Sequence, residues 1–182
     1  MKPQYSNNLS RRLFVASALI LPFSSNAIAK SISVNDKRAL SFYHTHTDKT
    51  LSITYYQEGA YIASALDKIN FFLGDFRTGD IYPIEPRLLD SVYLLQQKTG
   101  VDNKFEIISA YRSPKTNEKL RKKSSGVAKK SLHMQGQAID IRLRGLATSK
   151  LRDTAIAMKM GGVGYYKRSN FIHLDMGRVR YW

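Results

Sequence analysis

Apolar positions along the chain recur with two different periods. Residues 38–43 and 51–56 are rich in β-branched and aromatic types, and the polar stretch 45–49 between them predicts a hairpin. Tyr61, Ile62, Ala65, Leu66, Ile69, Phe72 and Leu73 recur at helical spacing and predict an amphipathic helix. Pro86 suits the first turn of a second helix, Leu88, Leu89, Val92 and Leu95 form its buried stripe, and Gly100 suits its end. Residues 105–109 predict a short apolar strand. Ser113 then caps a polar helix that starts at Pro114 and runs through Arg121. The basic segment 122–130 contains Ser124-Ser125-Gly126 and predicts a mobile loop. From 137 to 143 the period is two, with Ile139, Ile141 and Leu143 on one face and Ala138, Asp140 and Arg142 on the other. Thr148 is expected to cap a helix carrying Leu151, Ala155 and Met158, which Gly161-Gly162 would end. Residues 163–166 and 171–176 flank 167–170 as a second hairpin. Strands and helices do not alternate regularly. The expected class is therefore α+β, a small and mainly antiparallel sheet with flanking helices.

The first thirty residues follow another pattern. Lys2, Arg11 and Arg12 are basic with no acidic residue among them, 13–21 is apolar but short, and Ala27-Ile28-Ala29 offers a small-x-small cleavage site before Lys30. Residues 1–29 are expected to be a signal peptide, and 30–182 a single domain. Ser10-Arg11-Arg12-Leu13-Phe14 resembles the twin-arginine export signal, so the expected location is the periplasm. No apolar run of membrane-spanning length follows, and no stable membrane insertion is expected after cleavage.

Charge then narrows the partners. The chain has 29 Lys and Arg against 14 Asp and Glu; removing the three basic residues of 1–29 leaves 26 against 14. Such an excess favours a polyanionic neighbour. Export disfavours nucleic acid and favours peptidoglycan, whose lactyl and stem-peptide groups carry carboxylates. There is no cysteine, which excludes disulfides, thiolate metal sites and a Cys nucleophile. Any metal must rest on His, Asp and Glu.

The last strands carry such residues. In 171–176, Ile172, Leu174 and Met176 share one face, and Phe171, His173 and Asp175 the other. Asp140 likewise opposes the apolar set of its strand. If the two strands are neighbours, Asp140 and His173 point into one groove. His133 lies on the loop entering the first of them, with Gly136 allowing a sharp turn. Two imidazoles and a carboxylate, with water in the fourth position, are what a catalytic zinc site requires. His44-x-His46 is a weaker pair at a turn without a third ligand. Lys122, Lys123, Lys129 and Lys130 flank the loop before His133 and are placed to guide an acidic stem peptide or to form a solvated basic face. Tyr55-Tyr56 and Tyr165-Tyr166 are read as core and rim.

Ser131-x-His133-x-x-Gly136-x-Ala138-x-Asp140, followed by Phe171-Ile172-His173-Leu174-Asp175, resembles the two zinc motifs of the D-alanyl-D-alanine carboxypeptidase-type metallopeptidases, which share a clan with lysostaphin-type and hedgehog-type domains. Ser109-Ala110-Tyr111-Arg112-Ser113 is similar to that family's strand-end motif. The likeness continues through 161–166 and Trp182. The resemblance implies a hedgehog/carboxypeptidase-like fold, Zn2+ held by His133, Asp140 and His173, and Arg112 holding the scissile carbonyl or substrate carboxylate. It implies an exported zinc peptidase acting on peptidoglycan stem peptides or cross-links as an endopeptidase. A stem-peptide carboxypeptidase or a non-catalytic wall-binding domain are the alternatives. The chain departs from the pattern at the general base. Many relatives carry a Glu three residues before the last zinc His, or a His two before it; here Asn170 and Phe171 stand there. Asp175 is the available carboxylate, either as base or as the group that orients the His173 ring.

Overall fold

The computed structural model describes residues 36–124 and 126–182; the predicted signal peptide, its twin-arginine segment and the cleavage point before Lys30 lie outside the described residues. β1 (Arg38–His44) and β2 (Thr50–Gln57) form the expected hairpin, and β2 pairs on with the short β3 (Ala60–Tyr61). Two helices follow, α1 (Ala63–Phe72) and α2 (Pro86–Thr99). Next come β4 (Phe105–Ser109), α3 (Pro114–Lys123), β5 (Ala138–Leu143) and α4 (Thr148–Met158). β6 (Gly162–Tyr166), β7 (Phe171–Asp175) and β8 (Arg180–Tyr181) complete the chain.

The strands form one sheet in the order β3-β2-β1-β4-β5-β7-β6-β8. Only β1–β4 and β6–β8 are parallel; the other five pairings are antiparallel. One face of this sheet is apolar. Leu40, Phe42, Phe105, Ile107, Ile139, Ile141, Ile172 and Leu174 are buried there beneath the helices. α1 packs on β2, α2 on β1, and α4 on β5, β6 and β7. The period-two stripes and the helical stripes thus meet as two layers, which is what drives the fold. None of the described helices is long and apolar enough to cross a membrane.

The helix ends show where local signals prevailed and where they did not. Ser113 caps α3 as expected, its hydroxyl accepting from Thr116 N at 3.2 Å, with Pro114 at the first position. Gly100 ends α2 in the left-handed conformation. The predicted first helix starts later than its apolar pattern, after Ile62. Tyr61 instead pairs with Tyr56 in the sheet, and its hydroxyl donates to Asp90 at 2.6 Å. Thr148 is not a cap. Ala147 holds that position, and the Thr148 hydroxyl donates to the Asn170 side chain. Gly161-Gly162 does not end α4 either; Lys159 does, at φ 53°. These glycines serve packing: a Cβ on Gly161 would stand 1.8 Å from the Asp175 carbonyl oxygen.

Candidate metal centre

β5 and β7 are neighbours, and Asp140 stands directly opposite His173 in their register. With Ile139 and Ile141 turned into the core, alternation sends Asp140 to the other face. His133 arrives on a 3-10 turn, Leu132–Gln135, between α3 and β5. Gly136 ends that turn at φ 64°, where a Cβ would fall 2.0 Å from the Pro83 carbonyl oxygen. Only glycine allows that approach. Arg112 follows β4, and its backbone N–H donates to the His133 carbonyl at 3.1 Å. The next residue is anchored too: Asp75 accepts from Ser113 N at 3.0 Å and from the Ser113 hydroxyl at 2.7 Å.

His133, Asp140 and His173 are thereby brought together, each offering a ligand atom within 4.8 Å of the others. His133 Nδ1 lies 2.6 Å from the Ala110 carbonyl oxygen, so Nδ1 carries the proton and Nε2 presents a lone pair. His173 Nε2 lies 3.0 Å from Asp175 Oδ2, so its proton is there and Nδ1 presents the lone pair. His133 Nε2 and His173 Nδ1 stand 3.2 Å apart, and Asp140 Oδ1 is 3.3 Å and 2.8 Å from them. With both rings neutral, three lone pairs therefore face one point, and a cation placed there would satisfy all three. A tetrahedral ion with bonds of about 2.0–2.1 Å has ligand–ligand edges of about 3.3 Å, close to this triangle, and the residues fit a metal.

Where no metal is bound, a proton takes its place. Burial disfavours a charged His173, but hydrogen bonds to Asp140 and Asp175 outweigh it and push the ring up to about 9. Burial holds His133 down toward its neutral form against the pull of Asp140. Burial opposes ionisation of Asp140, yet the two imidazoles hold it well below the carboxylate range. Both states keep the donor triangle charged or coordinated.

Asp175 has a fully buried side chain and no free lone pair of consequence. Its Oδ1 accepts from Gly162 N, Gly177 N and Arg180 Nη1 at 3.2, 2.8 and 3.0 Å, and its Oδ2 accepts from His173 and from Arg180 Nη2 at 2.6 Å. Burial again works against the charged form, and these bonds overcome it, holding Asp175 well below its usual range. Arg112 is buried beside Asp140, with Nη2 3.5 Å from Asp140 Oδ2 and 3.4 Å from the Ser109 hydroxyl, while its Nε has no partner. Burial lowers this guanidinium, with Asp140 and Asp75 pulling the other way, and it stays cationic. A cleft of about 270 Å³ opens over these groups, bordered by Tyr166, Phe171, Trp182 and the segment carrying Val127, Ala128 and Lys130.

The other sequence candidates separate from this cluster. His44 is buried and accepts from His46 N at 3.2 Å, while His46 stacks on Phe76 at 4.3 Å. Tyr55 is buried in the core, Tyr56 and Tyr165 are partly buried at the margin of the core, and Tyr166 lines the cleft. Asn170, which stands where the family resemblance led us to expect a base, accepts from the Thr148 hydroxyl. Sequence reasoning missed Arg180 and Asp75. Neither lies on a periodic stripe, and each is identified only by a carboxylate–donor pairing across distant segments.

The family model described as peptidoglycan L,D-endopeptidase MepK matches residues 32–182. The chain belongs to this family. Its members are metal-dependent peptidases, and the chain is a peptidase with the family's α+β architecture. It is 42% identical over 165 residues to the peptidoglycan L,D-endopeptidase MepK of Escherichia coli K12, covering 91% of this chain and 89% of the relative. It is 37% identical over 164 residues to the probable peptidoglycan L,D-endopeptidase MepK of Haemophilus influenzae, covering 90% and 87%. No solved structure matches.

Proposed function

We propose that the chain is a zinc-dependent peptidoglycan endopeptidase, exported to the periplasm by residues 1–29, with His133, Asp140 and His173 as metal ligands. The observation that carries the metal reading is the triangle of two imidazole nitrogens and one carboxylate oxygen, 3.2, 3.3 and 2.8 Å apart. Zinc suits two imidazoles and a carboxylate, and when bound it supplies an activated water and polarises a peptide carbonyl. Arg112 offers buried donors at the same cleft and stabilises the oxygen on which charge develops. Asp175 orients the His173 ring through Nε2 and is not the general base, because Arg180 and two backbone N–H groups already occupy it. The relatives' names support cleavage at an L,D bond of peptidoglycan, and the basic surface suits an acidic polymer.

Digestion of purified murein with and without chelator tests the reading. Soluble fragments should appear, vanish on chelation and return with zinc. New internal cleavage rather than release of single terminal residues identifies endopeptidase action. Murein bound but never cut would establish the wall-binding alternative. His133→Ala, Asp140→Ala and His173→Ala should each lose metal and activity together, since each removes one of three protein ligands. Full metal content in all three would reject the site.

A further inference from the structure

Trp182 is the single tryptophan of the chain and is fixed beside the candidate centre. Its indole lies 5.5 Å from the His173 ring, centroid to centroid. Its backbone continues the pairing along β6: Tyr165 N donates to the Trp182 carbonyl at 2.9 Å, and Trp182 N donates to the Val163 carbonyl at 3.2 Å. Its ring N–H donates to the Tyr166 hydroxyl at 3.3 Å. The Arg180 guanidinium lies 5.0 Å from the ring centroid and is itself pinned to Asp175. Gly164, opposite His173 in the sheet, makes room for the indole, since a Cβ there would stand 2.7 Å from two of its carbons. Despite these restraints Trp182 is 53% exposed and lines the cleft. A large apolar ring, immobilised yet half in solvent, is pre-organised to bury its free surface against something else.

From this we infer that Trp182 is a specificity-determining residue: its exposed surface takes an aliphatic segment of the peptide substrate flanking the scissile bond. The inference rests on the peptidase reading proposed above. Whatever touches the indole lies within about one side chain of His173, so it belongs to the peptide being cut and not to the glycan strand. The neighbouring Arg180 is already neutralised by Asp175, which leaves the indole surface apolar and without an ionic partner for the substrate. A methylene chain suits such a surface; a carboxylate does not.

The lone indole is its own reporter. Stopped-flow mixing of the metal-loaded protein with sugar-free cross-linked stem peptides should change tryptophan emission before cleavage products appear, and a peptide-free glycan disaccharide should leave it unchanged. Trp182→Ala should retain full metal and raise KM about tenfold, more than it changes kcat, because binding area common to ground and transition states is lost. Trp182→Phe should recover part of the loss. Gly164→Ala retains every side chain of the site but pushes the indole from its seat, and should raise KM in the same direction. A silent indole, an equal response to the disaccharide, or a wild-type KM in Trp182→Ala overturns the inference. Failure of the underlying reading looks different: the wild-type protein would leave the cross-linked peptides uncut.

Discussion

Arg112 meets the cleft with donors to spare, and that distinguishes it from a structural arginine whose whole fork is used. Its Nη2 makes only long contacts, at 3.5 Å and 3.4 Å, and its Nε has no partner. Arg112→Lys keeps the charge but not the planar fork. It should retain metal and lose on the order of a hundredfold in turnover, the usual scale for removing one oxyanion donor; murein cleavage at the wild-type rate would end the assignment. Asp175 presents the opposite case, with both oxygens taken. Asp175→Asn places an amide against Arg180 and weakens the hold on His173, so metal affinity or activity should fall about ten- to a hundredfold. The acidic limb of the pH–rate profile should persist. Normal metal binding with that limb abolished would mean that Asp175 is the base after all.

Between elements, the join of β4 to α3 sets Arg112, and Asp75 holds that join from the loop after α1. Its carboxylate accepts from Ser113 N, Ser113 Oγ and Arg77 N. Removing it strands buried donors, so Asp75→Ala should destabilise the protein by about 1–3 kcal/mol and slow catalysis with metal content intact. Burial resists ionisation of Asp75, but hydrogen bonds from Thr116 and Ser113 prevail and hold it below its ordinary value. A lowered carboxylate contributes stability that is present above the unfolded value and lost on acidification. The Tm difference between wild type and Asp75→Ala should therefore narrow as pH falls below about 4. A constant difference down to strong acid would show that the carboxylate charge is not what anchors the join.

At the scale of the whole molecule, the proposed metal site would link metal, proton and stability through His173. Without metal, burial pulls this ring down but its hydrogen bonds to Asp140 and Asp175 prevail and push it from 6.5 up to about 9. A raised histidine stabilises the fold fully below about 6.5, and the contribution is lost as pH rises through about 9. The metal-free protein should accordingly lose stability across that window while the metal-loaded protein does not. A metal held by the proposed ligands would compete with the same proton on Nδ1, so affinity should climb about tenfold per pH unit up to about 9. Calorimetry at neutral pH in buffers of different ionisation enthalpy should find about one proton released per metal bound. A count near zero would contradict the proton-for-metal exchange.

Much of this site was legible in the chain because local periods encode faces. Alternation in 137–143 and 171–176 was enough to turn Asp140, His173 and Asp175 away from the core, and Ser113-Pro114 was enough to start α3 beside Arg112. The family motifs added His133 and the expected ligand roles. Only the tertiary structure decided that β5 and β7 pair with Asp140 opposite His173. It alone showed that Arg180 occupies Asp175, and that Gly161 serves close packing where a helix end was expected. It also drew Tyr61 from its helical stripe into a strand and left Thr148 bonded to Asn170 instead of capping α4. The physical reason is common to all of these. A period of two or 3.6 is a property of neighbouring residues, whereas register, ion pairing and the space beside a glycine depend on segments far apart in sequence that meet when the apolar face is buried.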